Sequence, residues 1–373
     1  MTISVASSNI GLDPAQAWRC KGGMDMMARL SLTLPVVQAP MAGVSTPALA
    51  AAVSNAGGLG SLGLGAMDAA GAAAVIAQTR ALTNRPFGVN LFCHAPHRHD
   101  PAREAAWLER LAPHFRALGA EPPKALRSLY TSLLLDTDMQ DVLRQTRPAA
   151  ISFHFGLPPQ HVIDDLRSTG AVLLATATNR AEAETIRATG LDGIVAQGWQ
   201  AGGHRGCFDP FAPDQRLTTL DLLAELRPIG LPLIAAGGIM SAADARAALD
   251  AGAALVQCGT AFLACPEAST TPAHRARLAQ GDGETVMQKS ISGRPARSLT
   301  NLFTELDADV TLAELPDYPL PYDAGKALNA AGLAAGQAGY GAFWAGTGAA
   351  QVQARPAAGI ARDIGAAAAV SRG

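Results

Sequence analysis

The hexapeptide ISFHFG, residues 151–156, sets one ionisable ring between two phenylalanines in a stretch otherwise suited to a buried strand. An imidazole in apolar surroundings is ordinarily held by a backbone carbonyl or a water. At the mouth of a barrel the same ring can take a proton or pair with an anion, because its ordinary pKa of about 6.5 lies close to neutrality. Strand neighbours alternate in direction, so Phe153 and Phe155 are expected to pack outward on helices while His154 faces in.

Glycines form a second grouping, in AQGWQAGGHRG (196–206), AAGG (235–238) and QCGT (257–260). Gly237, Gly238 and Gly259 would let backbone N–H groups approach a phosphate, although glycines also make ordinary tight turns. Gln38, Asn90 and Gln197 lie at or near strand ends, and their amides donate and accept at once. With a phosphate cradle they point to flavin mononucleotide (FMN) lying across the mouth, and Met41 would set its backbone and thioether beside the ring. AGGHRG lacks the Lys-Ser/Thr pair of a nucleoside-triphosphate loop. GLGSLGLG, 58–65, follows an Ala-rich helical stretch, the wrong context for a dinucleotide fingerprint.

Other polar residues are less specific. His204 and Arg205 suit either a phosphate contact or loop fixing. CHAPHRHD, 93–100, brings His94, His97 and His99 near Asp100 but has no helical i,i+4 pair, and no metal is assigned. Lys289 and Arg294 could attract an anionic substrate or simply be solvated.

The elements that would position these residues are eight short apolar runs ending in Gly or Pro signals, at 34–40, 58–63, 86–92, 149–155, 171–177, 192–198, 231–238 and 254–260. Helical spacing occurs at 47–56, 67–82, 158–169, 179–189, 218–227 and 241–251. Ser45 and Thr46 before Pro47, and Ser241 with Asp244, are helix starts. Gly170, Gly190 and Gly252 suit left-handed stops. Eight strands alternating with helices and reading as continuous apolar runs favour an α/β fold, a (β/α)8 TIM barrel, over an open doubly wound sheet. Residues 24–93 and 147–265 are expected to form the FMN-binding barrel, and 94–146 and 266–373 a smaller helical cap over its mouth. Residues 1–23 are expected to be a flexible extension, Met24 resembling a second start.

Of the 373 residues 49% are hydrophobic and 16% charged, with a formal net charge of -2. That composition is globular and offers no basic field for nucleic acid or an anionic membrane. Five scattered cysteines without a CxxC pair, and no long apolar run, suggest a cytoplasmic protein with small-molecule partners, monomeric or homodimeric.

QAPMAGVSTPALAAAVSNAGGLGSLG, ISFHFGLP, AQGWQAGGHRGCF, PLIAAGGI and ALVQCGTAFL occur in the order of the motifs of nitronate monooxygenases, and the chain resembles that family over roughly residues 34 to 345. The resemblance implies an FMN-bearing TIM barrel with a smaller helical domain. It would oxidise alkyl nitronates, propionate 3-nitronate among them, with molecular oxygen and without a nicotinamide. His154 matches the active-site histidine. Gln38, Ala39, Met41, Ala42, Asn90, Gln197, Gly202, Gly203, Ala236, Gly237, Gly238, Gly259 and Thr260 match flavin-holding segments. YGAFWAGTGA places Tyr340 and Trp344 where they would close the pocket. Thr347 stands where the family has glutamine and Gln200 where it has glutamate, differences that bear on substrate preference. Two alternatives remain at this level: a flavin- and NAD(P)H-dependent enoyl-acyl-carrier-protein reductase, which would lack the HFG histidine, and a flavin-binding barrel without catalysis.

Overall fold

The computed structural model describes residues 24–366, so the expected extension at 1–23 and Cys20 lie outside the described residues. Eight parallel strands form one sheet: β1 (Val36–Gln38), β2 (Gly60–Gly63), β3 (Phe87–Phe92), β4 (Ala150–His154), β5 (Val172–Ala177), β6 (Gly193–Gln197), β8 (Leu233–Ala236) and β9 (Leu255–Cys258). Their order, β1-β9-β8-β6-β5-β4-β3-β2, closes through a parallel bridge from Val37 to Leu59, giving the (β/α)8 barrel. The remaining strand, β7 (Gly203–His204), pairs instead with β11 (Ala296–Leu299), which pairs with β10 (Thr285–Gln288).

Alternation along each strand sorts the side chains. Val36, Ile151, Phe153, Leu173 and Val256 join the outer core beneath the helices, while Val37, Ala150, Leu174, Val195 and Ile234 fill the interior. Met26 and Leu30, on and just after the helix Met24–Arg29, pack into that interior cluster. The helix starts are side-chain capped: Thr46 accepts from the Leu49 N–H, and Ser241 and Asp244 form a reciprocal box. Gly170, Gly190 and Gly252 adopt φ of +87°, +73° and +104° at helix ends, a region that costs other residues about 1 kcal/mol or more.

Three features depart from the expectations. First, the helix Thr137–Thr146 packs beside the barrel helices Ala69–Leu82 and Gln160–Ser168, and Ala357–Gly365 fits between Pro47–Asn55 and Ala242–Asp250. Both bury an i,i+4 pair, Met139 with Leu143 and Ile360 with Ile364, in the barrel's outer core, so they belong to its helical ring. Second, the layer over the mouth is not purely helical: it combines β10-β11-β7 with the helices Pro101–Ala117 and Leu320–Ala334, packed around Trp107, Leu111, Phe115, Phe303 and Leu328. Third, β4 ends at His154, and Phe155 turns left-handed at φ +72°. Phe153 packs outward as expected, but Phe155 leaves the alternation and lies at the mouth against Phe92, His94, His204 and Tyr318. No helix among the described residues is long and apolar enough to cross a membrane.

Candidate active site

The C-terminal ends of the barrel strands open into a cavity of about 900 Å³ beneath the overlying layer. Inward positions on successive strands supply Asn90, Ser152, His154, Thr176 and Gln197. Ala39, Met41, Ala42, Gly202, Gly203, Ala236, Gly237, Gly238, Gly259, Thr260, Tyr340 and Trp344 line the same space, so the structure brings these expected site residues together.

Gln38 is the exception, and its assignment is corrected here. Val37 faces the barrel interior, so Gln38 faces away. It is fully buried, donates to Ala39 O and Ser45 Oγ, and accepts from the Ser61 N–H. Its amide braces β1 to β2 and does not line the cavity.

The glycines at β8 fit a close backbone approach. Gly237 and Gly238 have φ of +123° and +73°, and a Cβ at Gly237 would lie 2.9 Å from Ala201 N. Thr260 Oγ1 accepts from the Gly346 N–H at 2.9 Å, tying the β9 end to the late YGAFWAGTGA segment. Gln200 Oε1 accepts from Thr219 N–H at 2.9 Å and lies 3.1 Å from its hydroxyl, fixing the β6 loop over the next helix start.

His154 Nδ1 lies 2.9 Å from Thr176 Oγ1. Desolvation is the main cause that lowers its pKa to about 4, with the Arg294 and Arg205 charges adding and the His204 carbonyl opposing. The ring is therefore neutral at pH 7. His204 is packed by Phe155, Tyr318, Tyr322 and Trp344, with Nε2 2.9 Å from Ser292 Oγ. Desolvation first, then His154 and Arg294, lower its pKa to about 3. Arg205 is 1% exposed; it pairs with Asp214 at 2.8 Å and donates to the carbonyls of Gln197 and Gly198, a loop-fixing role. Gln197 in turn donates to His204 O and accepts from Gly206 N–H.

Four residues outside the expected set shape the far wall: Tyr130, Tyr318, Tyr322 and Lys326. Lys326 Nζ sits 5.0 Å from the Tyr130 ring centroid and 5.3 Å from that of Tyr322. Burial lowers its pKa, Asp323 opposing. Trp344 Nε1 donates to Tyr322 Oη at 3.2 Å. Tyr322 and Lys326 are spaced by four on one face of the helix Leu320–Ala334, and Tyr318 precedes that helix, with two prolines obscuring its start. Lys289, by contrast, pairs with Asp307 at 2.8 Å and does not line the cavity.

The histidines of CHAPHRHD are dispersed. His97 and His99 meet at 3.3 Å and His99 pairs with Glu104, whereas His94 is buried edge-on against Tyr318. Among the described residues no group of three or more His, Cys, Asp or Glu is arranged to hold a metal ion.

A closed barrel with glycines at the ends of its last two strands and a histidine on its fourth defines the class, a (β/α)8 TIM barrel whose strand ends open into one cavity. The family model for nitronate monooxygenase matches residues 25–361, and the chain belongs to that family. It is 53% identical to a nitronate monooxygenase of Paraburkholderia phytofirmans, covering 92% of this chain and 94% of the relative. Identity to one of Pseudomonas aeruginosa is 48%, covering 90% and 96%. Among solved structures it resembles nitroalkane oxidase from Streptomyces ansochromogenes, at 36% identity and a TM-score of 0.83, covering 93% of this chain and 98% of that one. FabK from Thermotoga maritima gives 25% identity and a TM-score of 0.68, covering 91% and 94%.

Proposed function

We propose that the protein oxidises alkyl nitronates with molecular oxygen on bound FMN, and that propionate 3-nitronate is its substrate. The observation that carries this reading is one cavity lined by glycines at the ends of β8 and β9, by His154 on β4 and by Lys326. The names of the relatives agree with it.

The residues fit the cofactor. Gly237, Gly238 and Gly259 line the cavity with bare backbone that would meet a phosphate, and Asn90, Met41 and Gln197 line it with amide and thioether groups that would meet a planar ring. Bound FMN would supply an electron carrier between nitronate and oxygen. Thr176 orients the His154 ring. Neutral at working pH, His154 can hydrogen-bond a nitronate oxygen, or accept the α-proton of a neutral nitroalkane. Lys326 is placed to meet a substrate carboxylate, and the phenols of Tyr130, Tyr318 and Tyr322 stay protonated donors because burial raises their pKa values. Cys93, Cys207, Cys258 and Cys265 are unpaired thiols, which supports a reducing, cytoplasmic setting.

The test is the visible spectrum of the purified protein, followed by oxygen uptake with propionate 3-nitronate and no nicotinamide. A yellow protein that consumes oxygen is expected. Silence with nitronate, combined with bleaching by NADH, would replace this reading with a reductase.

A further inference from the structure

Thr219 opens the helix Thr219–Leu226, is 4% exposed and does not line the cavity. Its hydroxyl nevertheless reaches the end of β8: Oγ1 lies 2.8 Å from the Gly237 carbonyl oxygen, to which no other group among the described residues donates. A second acceptor, Gln200 Oε1, lies at 3.1 Å, but it already takes the Thr219 N–H at 2.9 Å. A hydroxyl carries one proton, and the shorter contact assigns it to the Gly237 carbonyl. The packing leaves no slack around this atom. A Cβ on Gly198 would fall 2.2 Å from Thr219 Oγ1, and one on Gly237 would fall 3.0 Å from it.

What the contact fixes is a peptide plane. The bond joining Gly237 to Gly238 is trans, so its C=O and N–H point in opposite directions. With the carbonyl drawn back to Thr219, the Gly238 N–H is turned away from that helix, and it donates to no group among the described residues. Both glycines line the cavity. Their φ values of +123° and +73° lie in a region that glycine enters and leaves freely, so an outside anchor is needed to hold the plane in one orientation.

We infer that Thr219 is a positioning residue for a phosphate-monoester site: braced by Gln200, its hydroxyl fixes the Gly237–Gly238 peptide so that the Gly238 N–H is kept free to meet the phosphate. The inference rests on the FMN reading for the identity of the ligand, and it names the residue behind the cradle on which recognition of the phosphate depends. The same loop reaches the other strand end. Gln200 O accepts from the Thr347 N–H at 3.1 Å, and the neighbouring Gly346 N–H donates to Thr260 Oγ1 at 2.9 Å. Gln200 thus ties the ends of β8 and β9 to one segment, as backbone donors converging on a single anion require.

Removing the hydroxyl alone tests this. Thr219→Val keeps the branched shape and the N–H that Gln200 accepts. The full-length protein is titrated with FMN and with riboflavin, the same flavin without its phosphate, and quenching of flavin fluorescence gives both dissociation constants. The wild type is expected to favour FMN. In Thr219→Val that preference should fall by about threefold or more, as loss of one oriented hydrogen bond predicts, with riboflavin affinity and the Tm of the flavin-free chain little changed. Thr219→Ser should restore it. A merely structural role would weaken both flavins alike, and a preference that falls by less than about threefold overturns the inference. Should the valine variant not fold, Thr219→Ala carries the same expectation and the same refutation. A wild type that binds both flavins equally overturns the FMN reading together with the inference, whereas a wild-type preference that persists in Thr219→Val overturns the inference alone.

Discussion

Replacing Lys326 by methionine removes one charge from the cavity wall while keeping most of the stem that lies over Tyr130 and Tyr322. If the ammonium meets a substrate carboxylate at about 4 Å, Coulomb's law at an effective dielectric of about 20 gives roughly 4 kcal/mol. Lys326 is solvent-exposed at the rim, so screening reduces this to about 1–2 kcal/mol. That range corresponds to about a 5- to 30-fold loss in kcat/KM. The assay is initial oxygen uptake with two substrates, propionate 3-nitronate and ethyl nitronate, which lacks the carboxylate. The first should lose activity by that factor and the second change by less than about twofold, because the ammonium has nothing to pair with. The wild-type preference for the carboxylated substrate should also shrink with added salt. Equal losses on both substrates would refute carboxylate recognition and assign Lys326 to the architecture of the wall.

Gly237→Ala should lower bound flavin and stability together, because its φ of +123° and a Cβ 2.9 Å from Ala201 N leave no relaxed geometry. The strain is about 1–3 kcal/mol, read as flavin-to-protein ratio and Tm; full flavin content would show that the cradle lies elsewhere. Acid should destabilise the fold through histidines kept neutral by burial: His94 and His204 are lowered to about 3, His154 and His274 to about 4. The unfolded chain protonates these rings below about 6.5 while the native one does not, so it binds more protons and stability falls as pH drops from about 6.5 towards 4, by up to about 1.4 kcal/mol per pH unit per ring. Urea midpoints at pH 7 and pH 5 measure this, and equal midpoints would contradict the burial of these rings.

The barrel was legible because a parallel strand covered on both faces reads as an apolar run, and because Gly170, Gly190 and Gly252 mark the helix stops. The same feature hid the phase of β1. Val36 and Val37 are both apolar, so nothing local says which faces in; packing of Val36 under the helices and Val37 in the interior turns Gln38 away from the cavity. At β4 the alternation was clear, but its end was not: a left-handed Phe155 is set by packing among Phe92, His94 and Tyr318, residues far apart in sequence.

The two ends of the cavity differ in the same way. Its cradle is made of glycines at consecutive strand ends, each readable from its own segment, whereas the wall bearing Lys326 needs Tyr130 from the insertion after β3 and Tyr322 from a helix nearly two hundred residues later. Only the docking of the overlying layer on the barrel makes them neighbours. Substitutions at Tyr130 or Lys326 should therefore alter which anion is accepted without disturbing flavin retention, and those at Gly237 should do the reverse. A variant of Lys326 that lost flavin would show that the two ends are not separable.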